Sequence, residues 1–374
     1  MSEKDQSLKN RPDIGYFCYV GGFGLSEAGR TNAIALQWAG YRVHRGGASE
    51  FGIYDSAEPD YPLVIHHWHP NSCRGTFHHF FEKKRCQKRI AYWAWECEAG
   101  WFKGMVEHAH HFDEIWTPSE YSTQMLKPLG VPVRTIPHAV RRPAQPPRQR
   151  GAIFRVLCPF DAWSRFSRKN PEGAMAAFKE AFPASKYRNC ELVLKTHHLT
   201  PEERERLHET ANDSRIVVVE GFLSELEIQR MFLESDCVIS LHRSEGFGLN
   251  LARAIASGVP LVATNYGGCA EWLENCHKVR WTPHEITLQD YYPLGAFWAE
   301  PDIEHAARLL RYVYDHPEEC RDQAAIAQRE ADFSVDTLSQ RMISAISNLG
   351  ILPEQEGIAT AARHLHHNEP LTAQ

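Results

Sequence analysis

The stretch Ser244–Gly268 reads SEGFGLNLARAIASGVPLVATNYGG, and the order of its parts decides the fold. A carboxylate, Glu245, stands before a Gly-Phe-Gly turn. The turn opens a short apolar helix, SGVP breaks that helix, and an apolar strand runs on to a second glycine pair. Immediately upstream, DCVISLH (Asp236–His242) has strand length and strand composition, so the whole reads as strand, turn, helix, strand. Gly246 and Gly248 let backbone approach a ligand closely. The helix start offers N–H donors to an anion, and Glu245 offers two strong acceptors to neighbouring hydroxyls. Donors for a phosphate beside acceptors for hydroxyls suit a nucleotide sugar.

The same alternation extends in both directions. FRVLCPF, CELVLKT and IVVVEGF read as strands, with helices NPEGAMAAFKEAF, TPEERERLHETA and SELEIQRMFLES between and after them. The first half offers strands IGYFCYV (Ile14–Val20), YPLVIHHW, RIAYWAW, DEIWTPS and VPVRTIPHAV, with a helix after GGFG that ends at Gly40. This pattern predicts an α/β chain with two doubly wound parallel sheets, whose ligands sit at the carboxyl ends of the strands. The expected division is 1–142 for the first domain, 143–151 for a Pro/Arg-rich linker, 152–330 for the second domain, 331–352 for a helix packing back towards the first, and 353–374 for a loose tail. From Glu300 to about Leu349 the chain reads as helical throughout.

Composition agrees with two soluble domains: 374 residues, 43% hydrophobic, 24% charged, net charge −6. That balance argues against a nucleic-acid partner. Residues 1–150 carry 19 Lys/Arg and 15 Asp/Glu, against 22 and 32 in the remainder, so the front half is the one suited to anions. The ten cysteines form no CxxC pair, and several lie inside apolar runs. The polar N-terminus and the lack of an 18-residue apolar stretch lead us to expect a reduced, cytoplasmic chain whose membrane contact, if any, is peripheral at the inner face.

The front glycine loop, Gly22-x-Gly24-x-x-Glu27, is not a dinucleotide fingerprint. Glu27 replaces the third glycine, and GYRVHRGG carries no carboxylate for a ribose. A tight strand-to-helix turn and an anion-binding loop both remain open readings.

At this point the motifs together resemble the retaining glycosyltransferases of family 4. The E-G-F-G-L run at Glu245–Leu249, the basic segment FDAWSRFSRKNP, and VEGFLSELEIQRMFLESDCVISLHRSEGFGL carry the likeness, with YWAWECE, FDEIWTPSEYS and YPLGAFWAEPDIEHAARLLRYVYDHPEE marking a subgroup. The resemblance implies the GT-B fold, two facing Rossmann-like domains, the first on the acceptor side and the second binding the donor. It implies that Arg168 and Lys169 lie on the donor diphosphate and that Glu245 faces the donor sugar. Ser244 and Gly246, Phe247, Gly248 and Leu249 would line the phosphates. Gly221, Phe222 and Leu223 would lie where the nucleobase stacks, and Gly22, Gly24 and Leu25 would approach from the front domain. Arg253 stands where the family has a second glutamate that accepts the ribose hydroxyls. A guanidinium accepts nothing, so it would reach a phosphate, pair with Glu245 or Glu271, or read another nucleotide.

No Asp-x-Asp occurs, which fits the metal-independent transfer and absence of cofactor that the resemblance implies. Glu96 and the cluster His66, His67, His69 are acceptor-side candidates, Glu96 and His69 foremost. The three histidines alternatively begin a zinc site or are polar strand-end residues. TFHHFFEKKRCQKR (Thr76–Arg89) is a candidate contact for an anionic membrane or an ordinary amphipathic helix. The function expected is retaining transfer of a hexose from a nucleotide-diphosphate sugar to a glycan or lipid-linked acceptor in surface polysaccharide synthesis. The alternatives are a nucleotide-sugar epimerase of the same fold and a non-catalytic binding partner.

Overall fold

The computed structural model describes residues 11–19, 24–49, 52–53, 61–70, 86–98, 101, 104–287 and 295–351. The first lobe is built on seven strands: β1 (Ile14–Tyr19), β2 (Val43–Ser49), β3 (Gly52–Ile53), β4 (Leu63–His67), β5 (Lys88–Tyr92), β6 (Glu114–Thr117) and β7 (Val133–Thr135). Their order is β3-β2-β1-β4-β5-β6-β7, parallel except for the two-residue edge strand β3. Helices α1 (Gly24–Trp38), α2 (Met105–Ala109) and α3 (Glu120–Leu126) connect them. The second lobe holds β8 (Phe154–Pro159), β9 (Cys190–Thr196), β10 (Ile216–Glu220), β11 (Cys237–Ser240), β12 (Leu261–Thr264) and β13 (His277–Val279) in the order β10-β9-β8-β11-β12-β13, all parallel. That order reverses at β8, which opens a crevice at the carboxyl ends of β8 and β11. Two doubly wound α/β lobes, as the sequence alternation predicts, are what the chain forms.

The central strands are buried on both faces; all five residues of β4 are buried, its two histidines included. Between the second-lobe strands run α4 (Phe166–Lys169), α5 (Pro171–Ala181), α6 (Pro201–Ala211), α7 (Glu225–Leu233) and α8 (Leu249–Ala256). Thr200 and Ser224 start α6 and α7 with capping boxes to Glu203 and Glu227.

Two features differ from the sequence pattern. A hairpin, β14 (Trp281–Glu285) and β15 (Phe297–Pro301), stands outside both main sheets. Pro283 and a polar, irregular approach hide it from a period-two reading. The helical run after Glu300 is three helices, α9 (Ile303–Asp315), α10 (Pro317–Glu330) and α11 (Val335–Ser347), because Pro317 opens one and Ser334 caps another.

The lobes share structure. Ile286, Ala296, Trp298 and Ala299 of the hairpin region pack with Trp93, Trp95, Cys97 and Met105 of the first lobe in one apolar cluster. Helix α11 lies on α1: Leu338, Met342, Ala345 and Ile346 join Ala33, Ala35 and Leu36 in another, and Ser339 Oγ donates to Ala35 O at 2.8 Å. The connection before β8 is tied down by its arginines. Arg148 Nη2 donates to Asp236 Oδ2 at 2.8 Å, and Arg150 lies over the Tyr314 ring, 4.2 Å from its centroid. Met342→Ala should therefore cost about 2–5 kcal/mol, as truncating a fully buried side chain does. A urea-denaturation midpoint equal to that of the wild type would detach α11 from the first-lobe core.

Candidate functional site

Residues Ser244–Gly268 meet themselves. Gly268 N donates to Glu245 O at 2.7 Å, and a Cβ on Gly268 would collide with Gly246 O and fall 2.5 Å from Ser119 Oγ. Only a residue without a side chain lets the loop after β12 lie on the backbone after β11. Ser119 caps α3 and donates from Oγ to Gly246 O at 2.6 Å, while Glu271 receives Tyr121 N at 2.6 Å and Glu120 N at 3.1 Å. The glycine turn is thus clamped between the lobes.

This clamp holds Glu245 within a cluster of four charged groups. Lys169 Nζ donates to Glu245 Oε1; Arg168 lies 3.5 Å from Glu245 Oε2 and 3.8 Å from Glu96 Oε1. Glu96 in turn is 3.8 Å from His69 Nε2. Arg168 also donates from Nη1 to Ser244 O at 2.6 Å and is 3% exposed, against 15% for Lys169. Arg168 is therefore a strut inside the seam, and Lys169 is the more exposed of the two cations. Burial alone would raise the Glu245 carboxyl, but Lys169 and Arg168 outweigh it and hold it at about 2. Glu96 is held below its ordinary value in the same way: burial opposes, while Arg168 and His69 prevail.

The cleft between the lobes has a volume of about 400 Å³. Of the residues singled out from sequence, it brings together Arg168, Lys169, Glu96, Glu245, Gly246, Phe247, Gly248, Leu249, Arg253, Gly221, Phe222, Leu223, Gly24 and Leu25. Gly248 adopts φ 84° and supplies no side-chain cap, so the first N–H groups of α8 are left to the cleft. Phe222 is 60% exposed on its wall. Ser244 and His69 lie outside the lining: Ser244 Oγ donates to Glu96 O within the seam. Gly22 falls outside the described residues.

The pairing expected of Arg253 goes to other carboxylates. Its guanidinium meets neither Glu245 nor Glu271 but Glu27 of α1 and Glu225 of α7, the latter at 2.7 Å. The two departures noted in sequence, Glu27 for a third glycine and Arg253 for a glutamate, are partners across the cleft.

His66 and His67 are fully buried. His66 packs against Phe17, Trp68 and Phe112, whereas His67 accepts or donates at 2.7 Å with Tyr16 OH and stacks on Tyr92. Burial lowers His66 to about 3, with Arg89 adding to the effect. They assemble no metal-ligand group among the described residues. Lys88 and Arg89 belong to β5 and bond Asp113, while Thr76–Arg85 lies outside the described residues.

Sequence reasoning missed Asp161, Lys195, His197, His138 and Glu225, all on the cleft wall. Lys195 carried a signal, since it stands at the carboxyl end of the apolar run of β9. Lys195 Nζ donates to Thr196 O at 3.0 Å and to Gly221 O, fixing the turn that carries Phe222. Asp161, His197 and His198 have ligand atoms within 4.8 Å of one another, a spacing that could hold a metal ion.

Residues 164–330 match the family model described as "Glycosyl transferases group 1". No curated protein matches the sequence. Among solved structures, sucrose-phosphate synthase from Thermosynechococcus elongatus is similar at 15% identity with a TM-score of 0.65, over 91% of this chain and 99% of that one. WaaG, a glycosyltransferase involved in lipopolysaccharide biosynthesis, is similar at 12% identity and TM-score 0.60, over 89% and 99%. A point mutant of S. aureus TarM, solved in complex with fondaparinux, alpha-GlcNAc-glycerol and UDP, is similar at 13% identity and TM-score 0.57, over 75% of this chain. This chain spans about half of TarM, 54% of its length. These likenesses show the GT-B fold.

Two outcomes test the site's construction. Glu245 sits near 2 instead of its ordinary 4.5, so its pairing stabilises the fold fully above about pH 4.5 and that contribution drains away as pH falls towards 2. Acid denaturation followed by circular dichroism should therefore be less steep across this window in Glu245→Gln; equal slopes would take Glu245 out of the charge cluster. Gly268→Ala should lower the melting temperature by several degrees, because the backbone contact it blocks cannot yield. An unchanged Tm would show that the loop moves aside freely.

Proposed function

We propose that the chain transfers a hexose from a nucleotide-diphosphate sugar to a glycan or lipid-linked acceptor, with retention of anomeric configuration, in surface polysaccharide biosynthesis. One observation carries this reading: a cleft between two Rossmann-like lobes in which Lys169, the uncapped start of α8 and Glu245 converge. The family match over 164–330 and the likeness to TarM, whose complex contains UDP, support it.

In this reading the diphosphate takes Lys169 away from Glu245. Anionic oxygens compete well for a cation that faces the cleft, and the freed Glu245 carboxylate turns to the sugar hydroxyls. Arg168 stays in the seam and contributes its field. The bond from the anomeric carbon to phosphate oxygen breaks while a bond to the acceptor hydroxyl forms on the same face, and the hydroxyl proton passes to the departing phosphate. Charge growing on that phosphate meets donors already in place, which is where such sites gain most of their rate. The base lies along Phe222, and Glu96 with His69 behind it borders the acceptor side. No cofactor beyond the nucleotide sugar is assigned. A lipid-linked acceptor brings the chain into peripheral contact with an anionic membrane on its cytoplasmic side.

Incubation with a panel of nucleotide sugars and acceptors in the presence of EDTA tests this. Nucleoside diphosphate should appear only when acceptor is elongated, and Lys169→Ala should lower kcat/KM about 10²–10³-fold in a chain that circular dichroism shows still folded at the assay temperature. Interconversion of the donor without transfer would move the chain to the epimerases, and binding without turnover would make it non-catalytic.

A further inference from the structure

Five acidic side chains line the cleft: Glu27, Glu96, Asp161, Glu225 and Glu245. Three have obvious occupations. Glu96 and Glu245 meet Arg168 and Lys169, and Asp161 lies 3.0 Å from His198 Nδ1 and 3.5 Å from His197 Nε2. The remaining two share one guanidinium nitrogen. Arg253 Nη2 donates to Glu27 Oε1 and to Glu225 Oε2, which leaves Glu27 Oε2 and Glu225 Oε1 without a hydrogen bond from the described residues. Both carboxylates sit in the first turn of a helix; burial raises the Glu27 carboxyl from its ordinary value, and Arg253 opposes that. Since each reaches the same nitrogen, their carboxyl groups lie within about two hydrogen-bond lengths of each other.

Two carboxylates on one cation are a poor neighbour for a phosphate. They are a good one for hydroxyl groups, which bring two donors and no charge. A cleft that must take an anion at Lys169 and still keeps this pair has a second, neutral and hydroxylated part of the ligand to hold. Arg253 cannot accept a hydrogen bond, but it fixes two groups that can.

We propose that Glu27 and Glu225, oriented by Arg253, form a receptor for a vicinal diol of the nucleotide, with one acceptor supplied by each lobe. This rests on the nucleotide-sugar reading above. Glu225 and Glu27 touch the ligand, and Arg253 is a positioning residue. Because Glu27 belongs to the first lobe and Glu225 to the second, the diol is read only where the lobes meet.

The test measures binding of UDP, GDP and ADP, and of their 2′,3′-dideoxy counterparts, to the full chain by calorimetry. Wild type should prefer the ribonucleotide over its dideoxy counterpart by about 10- to 100-fold, the worth of hydrogen bonds to charged acceptors. In Glu225→Gln and Glu27→Gln this ratio should fall severalfold, and in the double variant further towards one, while dideoxy affinity is unchanged. Arg253→Ala should reduce the ratio as well, and Arg253→Lys should restore part of it. A general loss of fold would lower both affinities together and leave the ratio standing. A wild-type preference that survives both glutamate variants overturns the diol receptor but leaves the nucleotide reading intact. Failure of every nucleoside diphosphate to bind wild type overturns both.

Discussion

Arg168 cannot be taken out of its place without leaving carboxylates stranded from water, and the rest of the molecule is arranged around that fact. Glu96 belongs to the first lobe, while Glu245 and both cations belong to the second. Buried charges are tolerable only when each finds a partner. Pulling the lobes apart would take Arg168 from Glu96, so the cohesion of the two halves and the electrostatics of the cleft are one property. The apolar cluster that joins the β14–β15 hairpin to Trp93 and Trp95 acts in the same direction without charge. On that side the lobes are welded; on the far side they meet through the Glu27–Arg253 ion pair at the edge of the cleft.

The Arg253 contacts recast a sequence oddity. Taken singly, Glu27 spoils a glycine fingerprint and Arg253 removes an expected acceptor. Taken together they are complementary, and the carboxylate missing from α8 is matched by carboxylates on α1 and α7. A single sequence shows each departure but not the pairing, because 226 positions separate the two residues and nothing local ties them.

Much of the architecture was legible for a physical reason. Strands buried on both faces are forced to be apolar throughout, so β8, β9, β11 and β12 announce themselves, and capped amphipathic helices mark the intervals. The hairpin was not legible, since its residues are held by Glu98 and by the first-lobe core instead of by a sheet with its own periodicity. The candidate cleft divides along the same line. Glu245, Lys169 and the glycine turn lie in contiguous motifs and could be named together. Asp161 and Lys195 stand at separate strand ends, His138 beyond β7 and Glu225 at the start of α7, and only the folded chain makes them neighbours. The histidines of β4 show the reverse: a conspicuous cluster in sequence whose members are sealed among aromatic rings.

The docking of α11 on α1 has a bearing on how the chain comes off the ribosome. The first lobe begins near Ile14, yet Leu338, Met342 and Ala345 complete its apolar layer. A nascent first lobe must wait with that layer uncovered while the whole of the second lobe is made, whereas the second lobe can close over its own strands as soon as they emerge. Vectorial synthesis would then order the halves back to front, with the later-made lobe settling first and the final helix sealing the earlier one.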